Sequence, residues 1–383
     1  MKNNRLTIYL AGFLFYLPIA LSTYINSSFI SSFVGEKSVG IIYILGSIGS
    51  LIALLVSPKI FRKTGSYKFL LSIILINAIA FISLAFTQNI FVVVSMFIIG
   101  FSMNTLIIFA LDEILKIFSK TQETGKIVGA YLAICSSAWI VAQLASGTVL
   151  GGISFRSIYL IGSILMMGLF LIIYLRLKKV PDPKYDNINN LQSLKEFFLN
   201  KNLSRIYIIN FLLQFFFSWM IIYTPIYLAS HIGFSWKEIS IIFTFMLLPF
   251  SFIPFSLGKY ADKFGERNTL ILGFIITSFS TITLFFIENK ILWVWALLLF
   301  FTRVGAATVQ SMADIYFFKH IKPENEEFVG IYRNASPVAF IFGPLLATIV
   351  FIFIPSFNFI YAILGALMLS GVYLASTIDK KDI

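Results

Sequence analysis

Charge is the first thing this sequence is short of. Asp, Glu, Lys and Arg make up 12% of its 383 residues, where an ordinary soluble domain carries about 25%. A soluble chain of this length would need a large polar surface, and there is no material here to build one. Cysteine is scarcer still. Cys135 is the only one and lies in an apolar run, which excludes a disulfide framework within the chain and a thiolate zinc or iron–sulfur centre. With His231 and His320 the only histidines, a histidine metal centre is not expected either. Neither a metal nor any other cofactor is expected.

What is present is apolar. Hydrophobic residues reach 58%, mean hydropathy is +0.91, and 43 Phe stand against 17 Tyr and 5 Trp. Phe is the aromatic with no polar atom to satisfy, so it suits hydrocarbon best. A spanning helix needs about 20 mainly apolar residues. Segments of that kind fall at roughly 6–30, 38–56, 68–87, 90–111, 127–150 and 155–175, then at 205–229, 236–257, 269–288, 291–314, 328–353 and 356–377. The expected fold is an all-α integral membrane protein with twelve transmembrane helices. The first segment is too long for a signal peptide and has no convincing small-residue cleavage site, so it reads as a retained helix.

The net charge of +12 would elsewhere suggest a nucleic acid partner. Here the cations sit in short loops between apolar segments, so no nucleic acid is expected. With the N-terminus placed in the cytoplasm, 23 of the 29 Lys and Arg fall in cytoplasmic stretches. Four (Lys37, Arg156, Lys237 and Lys290) fall on the opposite side, and Arg303 and Arg333 lie within spans. Retention of cations on the inner face then puts both termini in the cytoplasm and requires an even number of spans. For a bacterial-type cell this means the plasma (inner) membrane.

The one long polar stretch is 176–204, where Pro181 and Pro183 follow the sixth span and Gln192–Leu199 could form a short amphipathic helix on the membrane surface. It separates 1–175 from 205–383, six spans each. The two halves repeat. Val128-Gly129-Ala130-Tyr131 opens the fifth span and Val329-Gly330-Ile331-Tyr332 the eleventh, 201 residues on. Asp112 and Asp314 end the fourth and tenth spans 202 residues apart, and Gly65 and Gly265 lie in equivalent loops 200 apart. An even number of spans per half makes the repeat parallel.

Between the eighth and ninth spans runs Gly258-Lys259-Tyr260-Ala261-Asp262-Lys263-Phe264-Gly265-Glu266-Arg267. Gly258 and Gly265 permit a tight turn and close helix approach. Asp262 at a helix end can cap or pair with a neighbouring helix N-terminus, and Lys263 and Arg267 can reach headgroups or acids. This loop resembles the signature of the major facilitator superfamily (MFS), whose members are built from two parallel-related six-helix halves. The resemblance covers the whole chain and implies a secondary transporter working by alternating access. It implies too that the loop locks the cytoplasmic side while the protein faces outward. The first-half copy, Ser57 to Gly65, keeps the second glycine but departs from the signature: Ser57 or Pro58 stands near the place of the first glycine, and Arg62 stands where Asp262 sits.

An ionisable group inside a span costs at least about 2.5–3.5 kcal/mol on insertion scales and is a functional candidate by default. Arg303 lies twelve residues into the tenth span, about 18 Å deep at 1.5 Å per residue. Gln310 and Asp314 follow on the same helix face, so this stripe is expected to line a central cavity, with Arg303 either held by carbonyls, Gln310 and water or binding an anionic substrate group. Arg333, replaced by Leu132 in the first half, is expected to pair with Asp314, with ligand binding as the alternative. Asp112 and Glu113 are expected to meet Arg62 or Lys63 as gate contacts. Asn104, Gln143, Asn210, Gln214 and Tyr24 are further cavity candidates, although such residues more often hold helices together.

A membrane enzyme would need clustered acids for Mg²⁺ or a nucleophile–base constellation. The adjacent acid pairs are Asp112-Glu113 and Glu326-Glu327 alone, and no second cluster accompanies them. A channel does not need two equivalent halves, and there is no nucleotide-binding loop to drive transport by ATP. The expectation is a monomeric transporter in a lipid bilayer, carrying an anionic or polar metabolite. Export of hydrophobic compounds is the alternative. A coupling ion, proton or sodium, remains open beside uniport.

Overall fold

The computed structural model describes residues 2–119, 124–150, 154–178, 190–253, 265–321, 327–354 and 356–378. They form helices throughout. In order these are α1 (Lys2–Val34), α2 (Val39–Thr64), α3 (Ser66–Phe86), α4 (Ile90–Ser119), α5 (Thr124–Leu150), α6 (Phe155–Arg176), α7 (Asn190–Leu199), α8 (Lys201–Ile226), α9 (Trp236–Leu247), α10 (Glu266–Phe285), α11 (Leu292–His320), α12 (Glu327–Arg333), α13 (Ala335–Phe353) and α14 (Phe359–Ser376). Among the described residues eleven helices are long and apolar enough to cross a membrane, and α5 supplies a shorter apolar stretch, Ala133–Ala145. α12 and α13 together make one span, Phe328–Phe353. The protein is a multi-pass membrane protein. Phe91, Leu175, Ile352 and Phe353 stand almost bare of protein contact, as lipid-facing side chains do.

The chain forms two compact units, Met1–Tyr185 with Ser235–Ser240, and Asp186–Phe234 with Ile241–Ile383. Within the first, α1 packs on α4, α5 and α6, and α3 packs on α4 and α6. Within the second, α8 packs on α11, α13 and α14, and α10 packs on α11 and α14. Each of these five contacts in the first unit has its counterpart in the second.

Small residues set these crossings, because in lipid there is no hydrophobic drive between helices and close backbone approach supplies the contact. A Cβ on Gly162 of α6 would lie 2.5 Å from the Phe81 ring of α3. In the second unit a Cβ on Gly305 of α11 would lie 2.5 Å from the Gly273 carbonyl of α10 and would collide with Thr277. Gly365 of α14 accepts a hydrogen bond from Ser278 Oγ at 2.5 Å, and Gly343 of α13 accepts one from Trp219 Nε1 at 2.6 Å.

The amphipathic helix expected near 192–199 is present as α7. It docks on α8 and α12 through Phe197, which is fully buried against Tyr207 and Phe328. Leu194, Phe198 and Leu199 remain exposed. Asn200 caps α8 by accepting from the N–H groups of Asn202 and Leu203, satisfying donors that the first turn leaves without partners.

Candidate functional site

In the second unit a polar cavity of about 170 Å³ is lined by Asn210 and Gln214 of α8, Gln310 and Asp314 of α11, Arg333 at the end of α12, and Ser336 in α13. Helical spacing puts Asn210 with Gln214, and Gln310 with Asp314, one turn apart on single faces. The approach of Arg333 has a different cause. Continuing the helix would need an N–H from Pro337 to meet the Arg333 carbonyl, and proline has none. α12 therefore stops at Arg333, Asn334 turns, and α13 starts at Ala335. Broken backbone of this kind is tolerated at membrane depth where it is buried in protein or lines a cavity.

The break is tied to its neighbours. Asn210 Nδ2 donates to the Tyr332 carbonyl at 3.1 Å, and Gln214 Nε2 donates to Asn210 Oδ1 at 3.4 Å. The Tyr332 hydroxyl donates to Asp314 Oδ1 at 3.1 Å. Its ring stacks on Phe317 with centroids 4.1 Å apart and planes 7° from parallel. Arg333 is exposed and Asp314 half-buried. Among the described residues no Arg333–Asp314 ion pair closes within 4 Å; the Tyr332 hydroxyl holds the carboxylate instead, and the guanidinium shares the cavity lining with it.

Arg303 lies in a different environment. It is 1% exposed, and its guanidinium carbon sits 5.2 Å from the ring centres of both Phe216 and Phe217. Cation–π attraction of this kind strengthens when water is excluded. Gln310 and Asp314 share its helix, but only they reach the cavity lining.

In the first unit a smaller space of about 20 Å³ is bounded by Ser22, Asn26, Asn104, Tyr159 and apolar neighbours including Phe81. Asn77 Nδ2 donates to Asn104 Oδ1 at 2.6 Å, and the Tyr159 hydroxyl donates to Asn26 Oδ1 at 2.8 Å. Gln143 is buried and donates to the Ala20 carbonyl at 2.9 Å, so it ties α5 to α1. Tyr24 is also buried. Neither lines the small space.

Of the gate residues, Gly258, Asp262 and Lys263 lie outside the described residues, as does the Arg62 side chain. Asp112 is exposed and Glu113 half-buried near the end of α4. Gly265 takes φ 77° and ψ 151° just before α10. Glu266 receives the Lys319 ammonium at 2.5 Å, joining the first turn of α10 to the last turn of α11, where each charge also suits its helix dipole. Arg267 is half-buried beside it. Ser336, Ser22, Asn26 and Tyr159 were not singled out by sequence. The run Asn334-Ala335-Ser336-Pro337 inside a span was the available signal for Ser336, since the residues before a proline are biased out of the helix.

A model of the Major Facilitator Superfamily matches residues 8–248 and 206–381. The chain belongs to that superfamily. Solved structures agree on the fold. A mutant form of the nucleoside transporter NupG matches with TM-score 0.79 at 13% identity, over 98% of this chain and all of that one. NupG itself matches with TM-score 0.74 at 14% identity, over 98% and 99% of the two chains. A bacterial homologue of the human lysosomal transporter Spinster, inward-facing and unoccupied, matches with TM-score 0.70 at 14% identity, over 98% and 95%. No curated protein matches the sequence. This MFS protein is a membrane transporter of small molecules.

Proposed function

We propose that the substrate is a small polar metabolite with an anionic group, bound in the cavity of the second unit and moved by alternating access. The observation that supports this reading is the lining itself. Six polar side chains, one of them the Arg333 guanidinium, converge on about 170 Å³. A guanidinium offers a planar fork of donors suited to a carboxylate or phosphate oxygen pair. Asn210, Gln214, Gln310 and Ser336 add amide and hydroxyl groups that would read the rest of a hydrogen-bonding solute. Asn210 is already bonded within the protein and Gln214 spends its Nε2 on it, but a hydrophobic cargo would still leave the Arg333 guanidinium, Gln310 and Ser336 facing apolar surface, at a cost that disfavours the export reading. The nucleoside transported by NupG is likewise a polar, hydrogen-bonding solute, which is compatible with this class.

The gate role of the loop 258–268, cytoplasmic termini, a plasma-membrane location and a monomeric state belong to the same proposal, as does a proton or sodium ion as the coupling partner. The test is a thermal-stability screen of purified protein against polar anions and apolar drugs, since a ligand that binds the folded state raises its apparent stability. Stabilisation by small carboxylates or phosphates, lost in Arg333→Gln, is the expected result. Stabilisation by apolar compounds alone would overturn the reading.

A further inference from the structure

Resting on the reading that this cavity holds the substrate, we infer that the substrate is a zwitterion of α-amino-acid size, its anionic group on Arg333 and its ammonium on Asp314. The cavity carries one charge of each sign, and among the described residues the two form no ion pair with each other. A simple anion would satisfy Arg333 and leave its own charge facing Asp314. A simple cation would do the reverse. A ligand with two separated charges and no net charge satisfies both.

The Asp314 carboxylate is positioned for such a task. Its Oδ1 is held by the Tyr332 hydroxyl, and the Tyr332 ring is held by stacking on Phe317, which leaves Oδ2 as the acceptor for an ammonium. Gln310 and Ser336 make no hydrogen bond among the described residues, and Gln214 spends only its Nε2 on Asn210. These groups are available for a polar side chain of the ligand. The volume of about 170 Å³ is comparable with the roughly 150 Å³ cavity that holds a benzene-sized guest, so a ligand of about six to ten heavy atoms fits.

The experiment measures binding by thermal shift and uptake by proteoliposomes of the full-length protein. The ligands are zwitterionic α-amino acids, their N-acetyl derivatives, which lack the ammonium, and their amides, which lack the carboxylate. The zwitterions are expected to bind, and each blocked form to lose at least about tenfold in affinity, the size of a lost charged hydrogen bond. Asp314→Asn is expected to narrow the gap between zwitterion and N-acetyl form, and Arg333→Gln the gap between zwitterion and amide. If the N-acetyl carboxylates bind as well as the zwitterions, the inference fails while the polar-anion reading stands. If no polar compound binds and apolar compounds do, both fail. The ligand series on the unmodified protein decides the matter even where a variant does not fold.

Discussion

Gly65 and Gly265, 200 positions apart, hold nearly the same backbone conformation, φ 79° with ψ 153° and φ 77° with ψ 151°. Each stands immediately before the third helix of its half, and each carbonyl accepts from the N–H four residues on, of Phe69 and Thr269. This region of backbone space is essentially closed to any residue with a Cβ. Gly35 and Gly233 form a second such pair at φ 81° and 79°. The parallel repeat is thus written into the strained joints of the chain as well as into its helix order.

Replacing Gly265 with Ala is expected to destabilise the protein by about 1–3 kcal/mol through backbone strain, although nothing lies within 4 Å of the added carbon. Gly168→Ala in α6 has the same open space without the positive φ and serves as the control. Thermal unfolding of the two purified variants checks this. Equal melting temperatures would remove the strain argument.

Gly305→Leu is expected to separate α10 from α11, because the new side chain would meet Thr277 and the Gly273 backbone. Backbone cannot retreat as a flexible side chain can, so the loss should exceed the usual 1–3 kcal/mol of an overpacked core. Yield of monodisperse protein in detergent is the measurement. Wild-type yield and melting behaviour would show that the helices part at little cost.

The two intramembrane arginines are expected to fail differently. Arg333→Gln should weaken substrate binding at least about tenfold with little change in melting temperature, since Arg333 is exposed to the cavity. Arg303→Gln should lower stability first, since it removes a buried guanidinium from between Phe216 and Phe217. Measuring affinity and melting temperature on both variants separates the roles. Reversed effects would return the substrate contact to Arg303.

Cysteine-accessibility labelling from outside is expected to reach positions beside Lys37 and to miss those beside Lys184, on the charge bias of the loops. Strong external labelling near Lys184 would invert the topology.

Asp262→Asn is expected to change the transport rate while leaving insertion and folding intact, because the acid belongs to a helix junction that must open and close. The check is counterflow in proteoliposomes alongside a melting curve. A wild-type rate would exclude a gate role for Asp262.

Much of the fold was legible before any coordinates. Long apolar runs need lipid, cations mark one side, and offsets of 200–202 residues mark the repeat, all properties of composition and order. The polar faces were legible too, since helical periodicity groups Asn210 with Gln214 and Gln310 with Asp314 whatever surrounds them. Less of the site could be read. Periodicity says which residues share a face, but not what that face meets, so depth and a face shared with Gln310 and Asp314 pointed to Arg303 as the cavity cation. Asn26 and Tyr159 were invisible because isolated polar residues in a span mostly serve packing, and Ser336 was signalled only by the proline that follows it.

By itself, then, the sequence determined that this chain crosses a membrane about twelve times in two similar halves, because burying apolar runs and keeping cations on one side are local requirements. Which arginine meets the cavity was decided by tertiary structure alone. Pro337 breaks the eleventh span at Arg333, Asn210 and Tyr332 hold the break in place, and Phe216 and Phe217 cover Arg303 from another helix. The proline break is local, but the other two are contacts between residues more than 80 positions apart, and only the packed helices bring them together.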